Sequence, residues 1–527
     1  MGSYISRRMD DHGLRSNAVS EDDSDRETEH QHVALLQSLI DSGQVEIMDS
    51  EYITVNGPKV PKIKFKPNTT VLDKSEFSLS TKMASGLGES SQKLKSSENI
   101  SDMVLNREKG MCPYRSFSYA LKCKVSNRFL PNSMSVLDIY NGKAFCGIFS
   151  KDGKTLITAA QDRQIRLYKS DDSSYKLFNS LSARDIGWSI IDVAISPDQN
   201  HFLYSTWSSS LHLCSLNESS HQEPLCLSRT SRRFCVFSVV FSSDGKEFLG
   251  GANDGCLYIY DLQSHAKVKI PAHEYDVNSV AFADVSSHII YSGGDDGLIK
   301  VWDRRTLGES YVKPVGVLAG HMDGITFIDS RGDGRHLISN SKDQSIKLWD
   351  VRVFSGEKAA EKSLQAVHEQ TWDYRWQQVP KRLFTSKDKL EGDTSIMTYR
   401  GHVVIKTLVR CRFSPLETTG QRYIYTGSGT GDMIIYDSLT GKVEEFVHGH
   451  KACVRDVYWH PYRNEIITTS WDGRIGRWTY RDKTSARDNE PERRSQNSTN
   501  GPKFQPPQTP LRRSSRIASK KRSTRAD

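Results

Sequence analysis

The sequence predicts an all-β fold, a seven-bladed β-propeller, and two observations carry this prediction. A phrase ending in Trp-Asp recurs, for example at Trp302-Asp303 and Trp349-Asp350, each time after an alternating apolar segment. A period of about 40 to 45 residues with a Gly-His start and a Trp-Asp finish is the signature of a four-stranded WD-repeat blade. Seven copies can be laid out, and their closing positions are Tyr168, Cys214, Tyr260, Trp302, Trp349, Tyr436 and Trp478.

One interval between these positions is about twice as long as the others. It runs from Trp349 to Tyr436 and holds only one Gly-His start, Gly401-His402, so we interpret it as an insertion and not as a missing blade. We place the propeller at residues 135–480 and the insertion at residues 353–399, between blades 5 and 6. Residues 136–140 are expected to form the outer strand of the last blade and so close the ring.

Two consecutive blades repeat the same polar and aromatic residues at matching positions. Buried together, they can form one hydrogen-bonded network per blade, because a buried polar member left unpaired costs about 1 to 3 kcal/mol. We interpret these sets as blade architecture in preference to a catalytic site. They are His273, Ser292, Asp296 and Trp302 in blade 4, and His321, Ser339, Asp343 and Trp349 in blade 5.

Composition predicts a soluble protein in a reducing compartment. The mean hydropathy is -0.57, no apolar run is long enough to span a bilayer, and the nine cysteines are never spaced as Cys-x-x-Cys, which argues against a zinc site. The net charge of +8 resides in residues 481–527, which hold 13 Lys/Arg against 5 Asp/Glu. The rest of the chain balances, so we expect no direct contact with nucleic acid.

The termini are predicted to differ in kind from the propeller. Residues 1–29 are acidic and expected to be disordered, residues 44–134 are expected to be a largely disordered linker, and residues 481–527 a disordered basic tail. Between the first two, residues 30–43 are expected to form a short amphipathic helix that docks either on its own propeller or on a partner. Its apolar stripe consists of Val33, Leu35, Leu36, Leu39 and Ile40.

Two terminal signals concern location. The tail has the form of a nuclear import signal, which predicts a protein of the nucleus and cytoplasm. Residues 1–6 fit the pattern for acylation at Gly2. One acyl chain gives only marginal membrane binding, so we expect no membrane attachment unless Gly2 is acylated.

The chain carries no recognisable catalytic motif. It has no Walker-type loop, no Gly-x-Ser-x-Gly and no His-Glu-x-x-His, so we expect neither an enzyme nor a cofactor or metal site. A propeller with degenerate blades and a long insertion is typically a platform for other proteins, whose function depends on its exposed motifs.

The two Trp-Asp phrases at Trp302 and Trp349 are each completed by an arginine, Arg305 and Arg352. This Trp-Asp-x-Arg pattern resembles the DWD box of WD-repeat substrate receptors in cullin-RING ubiquitin ligases of the cullin-four type. The order of helix, propeller, insertion and basic tail is similar to the branch called DCAF eleven in animals and LEC fourteen B in plants.

The resemblance implies a non-catalytic receptor that bridges a protein substrate of unknown identity to the ligase's triple-propeller adaptor. It makes Arg305 and Arg352 the adaptor contacts. Asp303 and Asp350, expected two residues earlier on the same strand face, are then placed to hold each guanidinium.

A third match to the pattern, Trp372-Asp373-Tyr374-Arg375, lies in the insertion. It lacks the preceding Asp turn and apolar strand, so we do not interpret it as a DWD box. Its aromatic residues either pack over a blade or form part of a recruitment surface. Two rival functions also remain open: a general scaffold of a nuclear chromatin or RNA-processing complex, and a membrane-anchored signalling adaptor.

Overall fold

The computed structural model describes residues 67–88, 100–110, 116–171, 174–216, 221–228, 234–307, 313–385 and 389–482. Within these ranges the chain forms 28 strands in seven antiparallel sheets of four strands each. Each sheet is one blade, which confirms the predicted seven-bladed propeller. None of the described helices is long and apolar enough to cross a membrane.

Blades 1 to 4 follow one another as simple meanders, in which each strand pairs with the next along the chain. Their strands are β2 Ala144–Phe149, β3 Thr155–Ala160, β4 Gln164–Ser170 and β5 Tyr175–Ser182 in blade 1; β6 Ile190–Ile195, β7 His201–Thr206, β8 Ser210–Ser215 and β9 Gln222–Cys226 in blade 2; β10 Val236–Phe241, β11 Glu247–Ala252, β12 Cys256–Asp261 and β13 Lys267–Pro271 in blade 3; and β14 Val277–Phe282, β15 Ile289–Gly294, β16 Ile299–Asp303 and β17 Gly316–Leu318 in blade 4.

Blade 7 takes its outer strand from the other end of the domain. Strand β1, Ser133–Ile139, pairs antiparallel with β28, with Met134 opposite Trp478, so the ring closes as predicted. The remaining strands are β18 Ile325–Ser330, β19 His336–Ser341, β20 Ser345–Asp350 and β21 Met397–Arg400 in blade 5; β22 Cys411–Phe413, β23 Tyr423–Gly427, β24 Asp432–Asp437 and β25 Val443–His448 in blade 6; and β26 Val454–Trp459, β27 Ile466–Ser470 and β28 Arg474–Thr479 in blade 7.

The meander gives the propeller two distinct faces. On one, which we call the WD face, the first strand of each blade connects to the second and the third to the fourth, so the Trp-Asp pairs lie there. On the other, the turn face, the second strand connects to the third and each blade connects to the next. Residues that end a third strand therefore emerge on the WD face in every blade.

Neighbouring blades pack closely because glycines in the second strands leave room for the next blade. A Cβ on Gly251 of β11 would lie 2.9 Å from the side chains of Val277 and Val280, and one on Gly293 of β15 would lie 2.7 Å from Ile325. Both distances are too short for a real Cβ, so these positions require glycine. A separate buried apolar cluster lies between each blade and the next.

The predicted position of the insertion is wrong. Strand β21 pairs with β20, Leu348 opposite Met397, so the extra segment lies inside blade 5, between its third and fourth strands, and not between blades 5 and 6. It contains two helices, at Glu357–His368 and Lys381–Thr385. The fourth strand of a blade carries no motif of its own, so no sequence signal shows that the insertion separates this strand from the Trp-Asp pair.

The predicted linker is also wrong for the residues described. Helix α1 spans Glu76–Ala84, α2 spans Ile100–Glu108 and α3 spans Tyr119–Ser126, with a 3-10 turn at Leu72–Lys74. Leu72 and Phe77 are fully buried in the core between blades 5 and 6. The serines and lysines that suggested a linker lie around a narrow apolar stripe, and tertiary packing of that stripe decides the structure.

Helix α3 continues the same path across blades 6 and 7. It packs beside a short helix, Leu416–Thr419, in the connection between the first two strands of blade 6, where Asn127 Nδ2 donates to the Thr419 carbonyl at 3.2 Å. Asn464 of blade 7 donates to the Ser126 carbonyl at 2.7 Å. The segment before the propeller is thus fastened to the WD face of blades 5 to 7.

Candidate functional site

The two Trp-Asp-x-Arg arginines emerge on the WD face of neighbouring blades. Strand β16 ends at Asp303 and β20 ends at Asp350, so Arg305 and Arg352 lie just beyond the ends of equivalent strands. Their side chains are 64% and 59% exposed. Both guanidinium groups are therefore accessible to a partner that docks on this face.

Asp303 holds Arg305 with two charge-assisted hydrogen bonds. Arg305 Nε donates to Oδ1 at 3.0 Å and Nη2 donates to Oδ2 at 2.7 Å. These bonds lower the pKa of Asp303 to about 2, so the carboxylate stays charged at neutral pH. The predicted pairing is present, but its predicted geometry is wrong. Arg305 lies in a 3-10 turn, Arg304–Thr306, that Asp303 caps, and not on the strand.

Arg352 is held differently, although its motif has the same sequence pattern. The Asp350 carboxylate accepts hydrogen bonds from Arg335 Nε at 3.1 Å and from Arg335 Nη2 at 2.8 Å, while Arg352 Nη2 is more distant, at 3.4 Å. Arg352 also contacts Glu76 of helix α1, at 3.3 Å. The second motif thus shares its arginine with the segment that precedes the propeller.

Residues 67–88, which we call the strap, build the part of the WD face next to Arg352. Phe77 points into the propeller, where the Arg331 guanidinium lies 4.5 Å from its ring centre. The same guanidinium donates to Ser80 Oγ at 2.9 Å and to Thr81 Oγ1 at 3.0 Å. Arg331 is 6% exposed, so it acts as a buried clamp that fixes the orientation of α1.

The outward side of helix α1 is apolar. Leu79 and Met83 are 59% and 63% exposed, and they follow Glu76 at helical spacings of three and seven residues, which places all three on one side. Glu76 meanwhile forms ion pairs with Arg335 and Arg352. We call Glu76, Leu79, Met83, Arg305 and Arg352 the candidate adaptor face.

Sequence reasoning missed the three strap residues of this face. A local signal existed, because Ser75 caps the helix by accepting a hydrogen bond from the Ser78 amide at 3.2 Å, with Glu76 in the first turn. Ser followed by an acidic first turn is typical of a helix start. The high serine and lysine content of the segment nevertheless predicts a linker.

The blade networks form the predicted contacts. In blade 4, His273 lies 2.9 Å from the Asp296 carboxylate and 2.8 Å from Ser292 Oγ, which also accepts from the Trp302 indole at 2.9 Å. Blade 5 repeats this network. His321 lies 2.8 Å from the Asp343 carboxylate and 2.7 Å from Ser339 Oγ, which also accepts a hydrogen bond from the Trp349 indole at 2.7 Å. Blade 7 has an equivalent network that the sequence analysis did not list, made by His450, Thr468, Asp472 and Trp478.

The third Trp-Asp-x-Arg match lies on the turn face, away from the candidate adaptor face. The Trp372 indole donates to Asp323 Oδ2 at 3.1 Å, and the Lys342 ammonium lies 4.4 Å from the Tyr374 ring centre. Asp323 and Lys342 both belong to turn-face connections. The aromatic pair therefore packs over blade 5, while Trp376 is 72% exposed beside it.

Several predicted elements lie outside the described residues: the helix at residues 30–43 with Val33 to Ile40, the acidic segment before it, Gly2, and the basic tail beyond residue 482. In the described ranges, no group of three or more His, Cys, Asp or Glu side chains is placed to hold a metal ion.

Comparison with known proteins identifies WD repeats in this chain and proteins that are similar to it. The family model described as WD domain, G-beta repeat matches residues 226–261, 265–303, 312–350 and 441–479. A protein of Caenorhabditis elegans named DDB1- and CUL4-associated factor 11 homolog is 40% identical over 399 residues, which cover 73% of this chain and 69% of that protein.

Plant relatives match over a similar length. The LEC14B protein of Lithospermum erythrorhizon is 41% identical over 394 residues, 72% of this chain and 82% of that protein. Pre-mRNA-processing factor 17 of Homo sapiens is 26% identical over 255 residues, which cover 46% of this chain and 42% of that protein. The similarity to the Caenorhabditis elegans and Lithospermum erythrorhizon proteins extends well beyond a shared set of repeats.

Proposed function

This chain belongs to the family that contains the DDB1- and CUL4-associated factor 11 homologues and LEC14B, and we propose that it is a non-catalytic substrate receptor of a cullin-RING ubiquitin ligase. It binds the DDB1 adaptor with one surface and a protein substrate with another. It carries out no chemistry itself, because its part is to bring the substrate within reach of the ubiquitin-transferring subunits.

The observation that supports the adaptor surface is the pair of exposed arginines on the WD face of neighbouring blades, of which Arg352 contacts helix α1 through Glu76. Arg305 is oriented by Asp303 through two hydrogen bonds, so little conformational entropy is lost when it binds an acceptor on the adaptor. Leu79 and Met83 add apolar area beside the charges. A charged contact gives orientation, and buried apolar area gives affinity.

We propose that the partner surface belongs to a triple-propeller adaptor and that Arg305 and Arg352 reach acceptors on it. The helix predicted at residues 30–43 is proposed to bind the same adaptor, with Leu36 and Leu39 at the centre of its stripe. Glu76 has a specific part in this arrangement, since it ties the strap to Arg352 and so keeps the two halves of the candidate adaptor face adjacent.

The rival functions have less support. A scaffold in RNA processing is favoured only by the similarity to pre-mRNA-processing factor 17, which covers 46% of this chain at 26% identity. A membrane-anchored adaptor depends on Gly2 alone. We propose a location in the nucleus and cytoplasm, with the tail as the import signal.

Affinity purification of the full chain followed by mass spectrometry tests the function directly. Recovery of DDB1 and cullin peptides in comparable amounts is the expected result. Recovery of chromatin or RNA-processing subunits without DDB1, or of acylated receptor complexes without DDB1, would replace the proposed function by one of the two rivals.

A further inference from the structure

The turn face carries an aromatic and cationic cluster that the blade architecture does not explain. We call Lys143, Trp188, Lys406 and Trp471 the turn-face cluster. Each residue comes from a different connection: Lys143 precedes β2, Trp188 lies between β5 and β6, Lys406 between β21 and β22, and Trp471 between β27 and β28. Blades 5, 6, 7, 1 and 2 thus converge on one place.

The two tryptophans of the cluster pack around a buried ring. Phe145, at the start of the inner strand of blade 1, lies 5.3 Å from the Trp188 ring centre in an edge-to-face arrangement and 5.9 Å from that of Trp471. Phe145 is 2% exposed, but Trp188 is 46% exposed. The buried Phe145 ring therefore packs beneath Trp188, whose outer surface faces solvent. A supported but exposed indole is typical of a binding surface and not of a filled core.

The cationic part lies beside these rings. The Lys143 ammonium is 4.1 Å from the centre of the Trp471 ring. Partial burial, and then the nearby positive charge of Lys406, lower the pKa of Lys143. Within the described residues no ion pair involving Lys143 or Lys406 is formed, so the two ammonium groups repel each other without a carboxylate to compensate.

The carboxylates of this part of the face are already engaged. Asp472, next to Trp471, lies 3.2 Å from His450 and accepts a hydrogen bond from the Lys451 amide at 2.9 Å. Asp185, three residues before Trp188, lies 3.0 Å from His212 Nε2. Among the described residues neither carboxylate pairs with Lys143 or Lys406, so these two cations lie together without an ion pair in a propeller that carries no net charge.

Lys406 is also held in a strained position. Its φ is +69°, in the left-handed region that a residue with a Cβ rarely adopts, and its amide donates to the Tyr374 carbonyl of the insertion at 2.6 Å. The insertion thus fixes the backbone of one of the two cations. Strain of this kind persists where the surrounding structure enforces it, and it is concentrated at binding sites.

We propose that the turn-face cluster binds an acidic peptide segment of the substrate protein, in which side-chain carboxylates flank an apolar residue. The carboxylates lie between Lys143 and Lys406, and the apolar side chain lies against Trp188. This inference rests on the proposed receptor function and names the class of substrate segment that the receptor takes. It also places the substrate on the face opposite to Arg305 and Arg352, so adaptor and substrate bind without competing.

Selection from a random twelve-residue peptide library displayed on phage, with the purified full chain as target, tests this proposal. We expect enrichment of peptides with Asp or Glu beside Leu, Phe, Trp or Pro. A fluorescent copy of the most enriched peptide should bind at least tenfold more tightly than the same peptide with Gln and Asn in place of Glu and Asp. Enrichment of peptides that lack acidic residues, or equal binding of the amide peptide, would overturn the proposal.

Variants of the chain locate the site. Lys143→Glu with Lys406→Glu should weaken the peptide at least tenfold, and Trp188→Ala should weaken it several-fold. The matched control is Lys151→Glu with Lys154→Glu, which makes the same charge change on the WD side of blade 1, where both lysines are exposed. Equal binding by the first double variant and this control would overturn the proposal.

The adaptor provides the readout that separates the two proposals. The Lys143 and Lys406 variant should retain DDB1 in a pull-down while it loses the peptide, and its circular dichroism melting curve should match that of the parent. If the parent chain binds the acidic peptide but not DDB1, the proposed function fails and the peptide site stands. If DDB1 binds and the acidic peptide does not, the further inference alone fails.

Discussion

Glu76 of the strap and Arg352 of blade 5 form an ion pair on the WD face, with 3.3 Å between Glu76 Oε2 and Arg352 Nη2. The same carboxylate binds Arg335, which in turn holds Asp350 of the second Trp-Asp-x-Arg motif. Exposed pairs of this kind contribute only about 0 to 1 kcal/mol to stability. The effect of this ion pair is to orient Arg352 relative to helix α1. The buried side chains of the strap supply the energy that holds the strap on the propeller.

The strap should therefore detach when its buried anchor is removed. Phe77→Ala takes a fully buried ring out of the core between blades 5 and 6, which typically costs about 3 to 5 kcal/mol. We expect hydrogen exchange to accelerate in helix α1 while the amides of blade 2 keep their protection. Uniform acceleration in both regions would show that the strap is an integral part of the fold and not a separately docked segment.

The exposed side of the strap should matter for the adaptor and not for stability. Leu79→Asp with Met83→Asp places two charges on the candidate adaptor face, where burying them against an apolar partner is unfavourable. We expect DDB1 affinity to fall at least tenfold while the melting temperature stays within about 2 °C.

A matched control for this pair is Leu177→Asp with Phe178→Asp, since those residues are 52% and 43% exposed on the outer strand of blade 1. The control should retain the adaptor. Equal loss of binding in both double variants would point to nonspecific damage and would remove the strap from the interface.

Blade 6 should make the protein sensitive to acid through His402. This histidine is fully buried, with Nε2 at 2.8 Å from Asn340 Oδ1 and Nδ1 at 3.2 Å from the Tyr436 hydroxyl, and its burial lowers its pKa to about 3. The folded state then binds fewer protons than the unfolded state below pH 6.5. The stability contribution is complete above pH 6.5 and declines as the pH falls toward 3.

Between pH 7 and pH 5 this linkage should reduce the free energy of unfolding by about 2 kcal/mol. Urea denaturation at the two pH values measures the change, and His402→Gln should show a smaller dependence on pH because it cannot be protonated. An identical dependence in parent and variant would assign the acid sensitivity to other groups.

The same histidine shows where sequence reasoning ends. Thr430 of blade 6 stands six residues before Tyr436, where blade 4 has Asp296 before Trp302, so the loss of the network Asp is visible in the sequence. The partners that His402 contacts in its place are not. His402 instead contacts Asn340 from the preceding blade and Tyr436 from its own, and such contacts depend on how blades pack. Blades 4 and 5 were predictable because all members of each network lie within one repeat.

The candidate site divides in a similar way. The arginines and the Asp303 contact follow from a local motif, whereas the competition of Arg335 for Asp350 depends on strand pairing. Arg335 immediately precedes β19, whose first residue, His336, lies opposite Asp350. The composition of the strap predicts a linker. Its docking between blades 5 and 6 stabilises it as a helix. A periodic fold can thus be predicted from its repeats, but not the segments that pack on it.

Location is tested with fluorescent fusions. Truncation after Lys483 removes nearly all of the basic tail, which should lower the nuclear signal, because the cations of an import signal bind an acidic receptor groove. The Gly2→Ala form, which cannot be acylated, should distribute like the parent. Unchanged nuclear signal after truncation would remove the import proposal, and membrane signal that disappears in the Gly2→Ala form would favour the anchored alternative.

The most direct test of the receptor function is the affinity of the Arg305→Ala, Arg352→Ala double variant for purified DDB1, measured by biolayer interferometry. Each lost charge-assisted contact costs about 1.5 to 3 kcal/mol, so we expect the Kd to rise roughly tenfold or more for each arginine. The control is Arg375→Ala, which removes the arginine of the same four-residue pattern on the turn face and should leave the Kd unchanged. A folded double variant that binds DDB1 as tightly as the parent would contradict the account.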